Sequence, residues 1–494
     1  MYDESQKKKI MSLSKEGFFI YPDSFWQNNL LFFTIKNKND KYLGIAGNEE
    51  QITSSGFSSR SLPDMEIDKN GYIAVFVERN RENLGKLIEI FPSLNPSSLG
   101  QKASFGFGDR LGLATSAHAR IVRKNNKVLP VFAQQSVREL DKTGRRFSDV
   151  VDDAMWNIIQ EGYNGIWGAD ADHIKDLKYF KIAVEEGMTM FTLDTAEVLD
   201  EKVLGMSAIE IRSNYDLDSI YIKQAKIQYE NKICSVGSYN FNFDEEVVVR
   251  LALTYGRAID FASDIFQFLK EKKNNFDYEV SFDETKTITS PEAHYFIATQ
   301  MKEKGIDFSS LALRFPGTFE KGVDYQGNIA DFENSIRIHG EIARSIGGYR
   351  LSLHSGSDKF SIYPAFNRNT KGLFHIKTSG TSWLEAVRVI AACDPDFFRE
   401  LFKITVNTFN ENKKAYHVNL DYNELPKSID HVKDEDLTGL IDDHNLRRAF
   451  HIAYGAILDR EKERFYQILF ENEDKHYQFI MDNLDKHFYA LKNG

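Results

Sequence analysis

The sequence predicts an α/β protein built on a closed (β/α)8 barrel of the TIM type, with a small α+β region before the barrel and a helical extension after it. Eight short apolar runs lie between residues 104 and 378. Several of these runs are followed by a polar cluster and then by a stretch of helical periodicity, a pattern typical of parallel strands joined by crossover helices. A doubly wound open sheet is the alternative arrangement.

The chain length agrees with this organisation. Its 494 residues exceed what one hydrophobic core usually supports. The predicted boundaries are 1–98 for the N-terminal α+β region, 99–390 for the barrel and 391–494 for the helical C-terminal extension. With 42% hydrophobic and 27% charged residues, the composition is that of an ordinary globular protein.

Charge, cysteine content and hydropathy exclude several classes of partner. The chain has 62 Lys and Arg against 73 Asp and Glu, a net charge of −11, which argues against nucleic acid binding because phosphate neutralisation requires a basic face. Cys234 and Cys393 are too few for a disulfide framework or a cysteine zinc site, so a reducing, cytoplasmic location is expected. No run approaches the roughly 18 apolar residues of a membrane helix, so no membrane association is predicted.

The elements follow in order along the chain. Short β-like runs at 30–35 and 72–77 define the N-terminal region, and the long gap between the fourth and fifth barrel strands predicts an insertion around 209–248. The extension carries an apolar stripe around 398–406 and an amphipathic end at 446–491. The predicted barrel strands are 104–109, 128–134, 165–170, 188–194, 278–283, 310–315, 349–354 and 373–378.

Polar side chains follow nearly every predicted strand. In a barrel of this type the carboxyl ends of the strands meet at one mouth, where catalytic groups lie. His173 and His354 each end a run beside carboxylates, and imidazole with carboxylate is a usual ligand set for a divalent metal such as Zn, Mn, Ni, Fe or Co. The structural alternative is that these histidines cap helices or bond loops.

The other histidines are less suited to that role. His339 shares an apolar stripe with Phe332 and Ile336, which indicates a core position, whereas His294 follows Pro291 at a predicted helix start and is expected within reach of the mouth. The histidines between 417 and 487 are predicted at the surface or at an interface.

Carboxylates and cations at the mouth indicate acid–base chemistry on an anion. Glu139 and Asp283 are candidate acid–base groups, with helix N-terminal charge as the structural alternative. The other strand-end groups are predicted to contact the substrate, and the cations among them suit an anionic one unless each pairs with a neighbouring carboxylate. These predicted contacts are Arg110, Gln134, Asp172, Arg314, Lys359 and Lys377.

Common catalytic motifs are absent from the sequence. The segment Gly106–Gly112 does not match G-x-G-x-x-G, since its third glycine is one place late, and no P-loop, G-x-S-x-G or H-E-x-x-H motif occurs. Dinucleotide-dependent enzymes, nucleotide hydrolases, elbow-type serine hydrolases and zincin proteases therefore lose their usual sequence support.

Seven strand-end segments between about 100 and 390 form a recognisable ordered set: FGFGDRLGLAT (105–115), VFAQQSVREL (131–140), GADADHIK (168–175), MFTLDT (190–195), SFDET (281–285), LHSGSDKFSIYP (353–364) and HIKTSGTSWLEA (375–386). Taken together, these segments resemble the tagaturonate epimerase family. The resemblance implies a metal-dependent barrel enzyme that interconverts D-tagaturonate and D-fructuronate, two ketohexuronates, by inverting C4. It also implies that His173 and His354 bind the metal, with a third ligand from Asp283 or Glu284, of which Glu284 is predicted, and that Glu139 and Asp283 are the catalytic carboxylates.

The implied reaction constrains the mechanism. The C4 proton lies β to the C2 ketone, so simple enolisation does not acidify it. A retro-aldol path avoids this difficulty: a base takes the C4 hydroxyl proton, the C3–C4 bond breaks to an enediolate and an aldehyde, and the aldehyde rotates before the bond reforms, with the metal as Lewis acid. Transient oxidation at C4 requires a nicotinamide cofactor for which the sequence has no fingerprint, and direct proton exchange at C4 is a further alternative.

Two other functions suit the same mouth. A metal-dependent aldose–ketose sugar isomerase would use the same histidines and carboxylates, and a non-catalytic uronate-binding barrel would retain the fold without the reaction. The sequence leaves the oligomeric state open, including a homo-oligomer.

Overall fold

Eight parallel strands close into the predicted barrel. The computed structural model describes residues 4–38, 40–58, 60–67, 71–416 and 418–492. The strands of the chain, numbered in order, are β1 (Phe19–Ile20), β2 (Trp26–Gln27), β3 (Leu31–Lys36), β4 (Lys41–Asn48), β5 (Arg60–Glu66), β6 (Tyr72–Glu78), β7 (Ser104–Phe107), β8 (Leu129–Ser136), β9 (Gly168–Ile174), β10 (Met190–Asp194), β11 (Lys232–Val236), β12 (Tyr239–Phe243), β13 (Asp277–Phe282), β14 (Ser310–Leu313), β15 (Arg350–Leu353) and β16 (Phe374–Thr378). The barrel consists of β7, β8, β9, β10, β13, β14, β15 and β16 in this order, and β16 pairs with β7 to close it.

The α-helices alternate with the barrel strands and extend beyond them. Between β10 and β13, two helices and the β11–β12 hairpin form the predicted insertion, after which a long helix leads back to the barrel. The helices are α1 (Glu4–Ser12), α2 (Glu49–Ser54), α3 (Arg81–Ile90), α4 (Thr115–Lys124), α5 (Val137–Thr143), α6 (Phe147–Gln160), α7 (Leu177–Glu185), α8 (Ala208–Asn214), α9 (Ile220–Tyr229), α10 (Glu245–Lys272), α11 (Pro291–Glu303), α12 (Ile329–Ser345), α13 (Tyr363–Thr370), α14 (Thr381–Cys393), α15 (Pro395–Lys413), α16 (His444–Glu471) and α17 (Glu473–Lys492).

Each of the eight apolar runs overlaps a barrel strand, so the predicted fold class is confirmed and the open sheet is excluded. The runs are readable because parallel barrel strands are buried on both faces. The third strand differs most in its bounds: β9 continues to Ile174, past the predicted end at Asp170, so that Asp172 and His173 lie within the strand. The β9–β10 pairing shifts register between Phe191 and Leu193, an irregularity that apolar periodicity does not reveal.

The N-terminal strands form a separate six-stranded sheet, in the order β1-β3-β4-β6-β5 with β2 on β3. One apolar core joins the inner side of this sheet to the barrel helices, because Phe32 and Ile45 belong to the same buried cluster as Val150 and Ile158 of α6. The C-terminal helices α15 and α16 pack around α14 in a second core that contains Trp383.

Of the extension histidines predicted at the surface or at an interface, His431 and His444 are exposed, whereas three others are not surface groups. His451, His476 and His487 are fully or almost fully buried, and His417 lies outside the described residues. His487 Nε2 accepts a hydrogen bond from the Asp358 backbone N–H at 3.0 Å, and its Nδ1 lies 3.0 Å from the Asn483 carbonyl oxygen. The surface prediction is wrong because the periodicity of α16 and α17 does not reveal that the helices pack on both the barrel and each other.

One buried carboxylate connects α17 to the N-terminal sheet. Glu473 accepts hydrogen bonds from the Tyr21 hydroxyl at 2.5 Å and from Tyr477, and it forms ion pairs with Lys36 at 3.3 Å and with Lys41. Burial alone would raise the pKa of Glu473, but Lys41 and Lys36 lower it to about 2. The folded state therefore favours the ionised carboxylate.

Replacement of Glu473 by glutamine is expected to lower the free energy of unfolding by about 3 kcal/mol at neutral pH, because it leaves two half-buried ammonium groups, those of Lys36 and Lys41, without this counter-charge. Since the pKa is depressed in the folded state, the stabilisation is present above about pH 4.5 and is lost as the pH falls towards 2. Urea unfolding of both proteins at pH 7 and pH 3 measures this. E471Q, at an exposed position two residues earlier, is the control, and equal unfolding free energies for E473Q and wild type at pH 7 would contradict the prediction.

Candidate active site

A polar cavity of about 510 Å³ opens at the carboxyl ends of the barrel strands. This is the end at which barrel enzymes place their catalytic groups. The lining comes from at least six βα connections and from Tyr416 of the C-terminal extension. The charged and histidine side chains of the lining are Arg110, Arg138, Glu139, Asp172, His173, Glu201, Asp283, Glu284, Lys286, Arg314, Glu320, Lys321 and His354.

His173 projects from β9 with one ring nitrogen held and the other free for a ligand. Its backbone is left-handed, with φ of 52°, a conformation that a non-glycine residue rarely adopts and that often occurs at functional sites. Nδ1 lies 2.7 Å from Asp172 Oδ1, and Nε2 lies 4.0 Å from Glu284 Oε1. A carboxylate on the second nitrogen is the usual support of a metal-binding histidine, because it fixes the tautomer and the ring orientation.

His354, directly after β15, has the same kind of support. Its Nε2 lies 2.7 Å from Glu279 Oε1, and its Nδ1 lies 3.2 Å from Asp283 Oδ1 without making a hydrogen bond to any described group. The centroids of the two imidazole rings lie 4.7 Å apart, and the ring planes are inclined to each other by 52°. Burial disfavours the charged ring, but Asp283 raises the pKa of His354 to about 10.

The donor groups of this cluster fit a divalent cation. Ligand atoms of His173, Asp283 and His354 lie within 4.8 Å of one another, and a second group of His173, Asp194 and Glu284 meets the same limit. Two imidazoles with carboxylates are a set that Zn²⁺, Mn²⁺ or a related ion accepts. His354 Nδ1 is buried and has no hydrogen-bond partner among the described residues, which fits a nitrogen that binds a cation. Both Asp283 and Glu284 are near enough to contribute.

A buried lysine beneath the cluster connects the carboxylates that support it. Lys377 Nζ lies 2.7 Å from both Asp170 and Asp172 and 2.9 Å from Glu279. Burial opposes the charged lysine, but the three carboxylates raise its pKa. Lys377 thus lies below the cavity lining and holds the carboxylates that orient both histidines. Glu279 faces inward from β13 and was missed by the sequence analysis, which considered only residues at or beyond strand ends.

Glu139 lies at a helix N-terminus and also faces the cavity, so it suits both alternatives that the sequence left open, helix capping and acid–base chemistry. It occupies the third position of α5 in a reciprocal cap with Ser136, and its carboxylate also lines the cavity. Its Oε1 accepts a hydrogen bond from Arg110 Nε at 2.9 Å. Arg110 is held in turn by the His451 carbonyl oxygen at 2.8 Å and lies over the Tyr454 ring at 3.9 Å. The C-terminal helix α16 therefore fixes the Arg110–Glu139 pair.

Of the remaining predicted substrate contacts, one lies in the cavity lining and two lie behind it. Arg314 lines the cavity and donates to the Gly317 carbonyl oxygen at 3.2 Å. Gln134 and Lys359 lie outside the lining. Gln134 donates to the Thr378 carbonyl oxygen at 3.0 Å, and the buried Lys359 ammonium donates to three carbonyl oxygens, including that of Glu320 at 2.8 Å.

His294 lies away from the mouth. Its Nδ1 lies 3.0 Å from that of His339, which is buried as predicted, and its Nε2 accepts a hydrogen bond from the Tyr349 hydroxyl at 2.7 Å. Because Tyr349 directly precedes β15, this group belongs to the amino-terminal half of the barrel. The expectation that His294 reaches the mouth is therefore wrong.

The sequence analysis also missed Lys321 and Tyr416, both of which line the cavity. Lys321 lies in the middle of a loop after β14, and Tyr416 comes from the extension. The only sequence signal for Lys321 was its position in a loop at the catalytic face of the barrel.

A closed parallel barrel with a cavity of convergent acidic, basic and imidazole groups at its carboxyl-terminal mouth defines a barrel enzyme. None of the described helices is both long and apolar enough to cross a membrane.

Comparisons with known proteins identify the family. The family model described as tagaturonate epimerase matches residues 21–491. The tagaturonate/fructuronate epimerase of Thermotoga maritima is 43% identical over 465 residues, which cover 92% of this chain and 93% of that protein. A glycerol-complexed crystal structure of the fructuronate-tagaturonate epimerase UxaE from Cohnella laeviribosi superposes with a TM-score of 0.91 at 33% identity, covering 99% of this chain and 100% of the other. The chain belongs to the tagaturonate epimerase family and is a carbohydrate epimerase, an isomerase.

Proposed function

We propose that the cavity inverts C4 of a ketohexuronate, interconverting D-tagaturonate and D-fructuronate with the aid of a divalent metal. The observation that carries the proposal is the presence in one cavity of a two-histidine, carboxylate cluster and of a separate buried carboxylate, Glu139, held by Arg110. The first group suits a metal and the second suits proton transfer. The names of the relatives at 43% and 33% identity support the substrate.

In the proposed retro-aldol path, Glu139 and Asp283 are the acid–base pair at the C4 hydroxyl. They come from β8–α5 and from the end of β13, with β9 and β10 between these strands around the barrel, so they approach the substrate from different walls. One carboxylate accepts the hydroxyl proton as the C3–C4 bond breaks and an aldehyde forms at C4. After the aldehyde turns, the other carboxylate returns a proton to the oxygen as the bond reforms with the opposite configuration.

The metal would be held by His173, His354 and a carboxylate of Asp283 or Glu284. When bound, the metal would supply Lewis acidity that stabilises the negative charge left on the C3 side when the C3–C4 bond breaks. Asp172 and Glu279 hold the outer nitrogens of the two histidines, and Lys377 holds both carboxylates. We therefore assign Asp172 and Lys377 to positioning, Arg110 to orienting Glu139, and Arg314 to a substrate contact in the lining.

Gln134 and Lys359 support the barrel wall in this proposal, because their polar groups are bound to backbone carbonyls. A sugar isomerase that moves a carbonyl between C1 and C2 is the competing function, and it predicts a different labelling pattern, since that reaction exchanges a carbon-bound proton.

The test is carbon and proton NMR of D-tagaturonate with the protein in D2O, once with Mn²⁺, Ni²⁺ or Zn²⁺ and once with a chelator. We expect D-fructuronate to form only with metal and its C4 to remain free of deuterium, because the retro-aldol path never breaks the C4–H bond. Deuterium at C4 would exclude the retro-aldol path, deuterium at C1 would favour the isomerase, and conversion undiminished by the chelator would contradict the metal. No conversion by folded protein with any of the metals would contradict the substrate.

A further inference from the structure

One half-buried lysine of the cavity lining has no hydrogen-bond or ion-pair partner among the described residues. Lys321 is half-buried in the loop between β14 and α12, and its side chain lines the cavity. Within the described part of the chain, neither a hydrogen bond nor an ion pair engages its ammonium group. Burial, together with the charges of Arg138 and Arg110, lowers the pKa of Lys321, while Glu139 and Asp172 oppose this change. An ammonium group that is partly withdrawn from water without a counter-charge is favourable to a bound anion.

Each arginine of the lining donates at least one hydrogen bond within the protein, and Arg110 is also paired with a carboxylate. Arg110 is bound to Glu139 and to the His451 carbonyl oxygen. Arg138 donates to the Ala415 carbonyl oxygen at 2.9 Å and lies 4.3 Å from the Tyr416 ring centroid. Arg314 donates to the Gly317 carbonyl oxygen.

Lys286 is the other cavity lysine for which the described residues offer no partner, but it is exposed to solvent. A charge pair formed at an exposed position contributes little because water screens it. Lys321 is therefore the cation best placed to bind an anionic group of the substrate.

We propose that Lys321 binds the C6 carboxylate of the ketohexuronate and thereby selects uronates over neutral ketohexoses. This inference rests on the proposed function. Lys321 lines the same cavity as Glu139, His173 and His354. In the proposed pose the C6 carboxylate, two carbons from C4, lies at Lys321, the C4 hydroxyl faces Glu139, and the C2–C3 end of the sugar extends towards His173 and His354.

The same contact has a consequence for the retro-aldol path. When the C3–C4 bond breaks, its electron pair stays on C3, the C4 hydroxyl proton passes to a carboxylate, and C4 to C6 become a separate three-carbon fragment with an aldehyde at one end and the carboxylate at the other. Lys321 retains this fragment by its carboxylate while the aldehyde turns. Without the lysine, part of the fragment would escape before the bond reforms.

The experiment measures kcat and KM for D-tagaturonate, its Kd by calorimetry, and the inhibition constant of D-tagatose, which has a hydroxymethyl group in place of the carboxylate. For K321M we expect KM and Kd for D-tagaturonate to rise at least about 10-fold, as for loss of a hydrogen bond to a charged group, with the D-tagatose constant changed less than about twofold. K321R keeps the charge and is expected to recover most of the affinity. K427M, at an exposed lysine of the extension outside the cavity lining, is the matched control and is expected to retain wild-type values.

An unchanged Kd for D-tagaturonate in K321M would overturn the inference, as would a fall in kcat with KM and Kd unchanged, because the lysine would then act on the reacting atoms. An equal loss of affinity for D-tagatose would also overturn it, since the contact would not involve the carboxylate. Failure of the wild-type protein to invert C4 would contradict the proposed function instead, and the calorimetric comparison would still decide whether Lys321 binds the carboxylate.

Discussion

Substitution of Glu139 by glutamine is expected to lower kcat for D-tagaturonate by about 10²- to 10⁴-fold, with KM changed less than about threefold. Glutamine keeps the length of the side chain and still accepts the hydrogen bond from Arg110 Nε, which lies 2.9 Å from Oε1 in the wild type. The Ser136 backbone N–H binds the other carboxylate oxygen, Oε2, in the wild type, so the single amide oxygen cannot also accept from it and the cap of α5 loses one hydrogen bond. The amide, however, cannot take a proton from the C4 hydroxyl. Initial rates in both reaction directions measure the loss.

Glu210 provides the matched control for this variant. It holds the same capping-box position in α8, reciprocal with Ser207, but it is exposed and lies in the insertion, outside the cavity lining. E210Q is expected to retain wild-type kcat and KM. If E139Q kept full kcat, or if E139Q and E210Q lost activity together with the melting temperature, Glu139 would have only a structural role at the helix end.

Substitution of His354 by alanine is expected to abolish stoichiometric binding of the divalent metal and to lower kcat/KM by at least about 1,000-fold, because a Lewis acid contributes several kcal/mol to the transition state. His354 supplies one of the ligand atoms that lie within 4.8 Å of each other, and no other described histidine belongs to that group except His173. Elemental analysis of the purified protein measures the metal, and NMR of D-tagaturonate measures the rate.

Two further variants make the metal prediction specific. H173A removes the histidine that the two ligand groups share and is expected to have the same phenotype as H354A. H431A changes an exposed histidine of the extension and is expected to retain metal and activity. Folding is checked by circular dichroism, since both site histidines contact buried carboxylates. Full metal content in folded H354A and H173A would show that the cation binds elsewhere.

The fold and most residues at the mouth of the barrel could be predicted from the sequence for one physical reason. Barrel strands are buried on both faces and therefore appear as short apolar runs, and their carboxyl ends must share one rim. Glu139, His173, Asp283 and His354 follow or end such runs, and the structure brings all four to the lining of one cavity. The family resemblance rested on the same strand-end segments, and the comparisons with known proteins confirmed it.

What the tertiary structure decided was the partner of each polar group. In the sequence, Lys359 and Lys377 are equally good candidates for binding an anion. In the structure, Lys359 donates hydrogen bonds to backbone carbonyls, and Lys377 forms ion pairs with three buried carboxylates. Lys321 was not a candidate at all, although it is a half-buried cation of the cavity for which the described residues offer no partner.

The physical reason is the range of the forces involved. Burial of apolar side chains leaves a periodic trace that is local in sequence, so the sequence by itself determined the strands, the helices and the rim at which the chemistry lies. Hydrogen bonds and ion pairs act over a few ångströms between groups that are far apart along the chain, as for Arg110 with His451 or Tyr21 with Glu473. Only the folded structure decided which charges neutralise each other and which one remains available to a ligand.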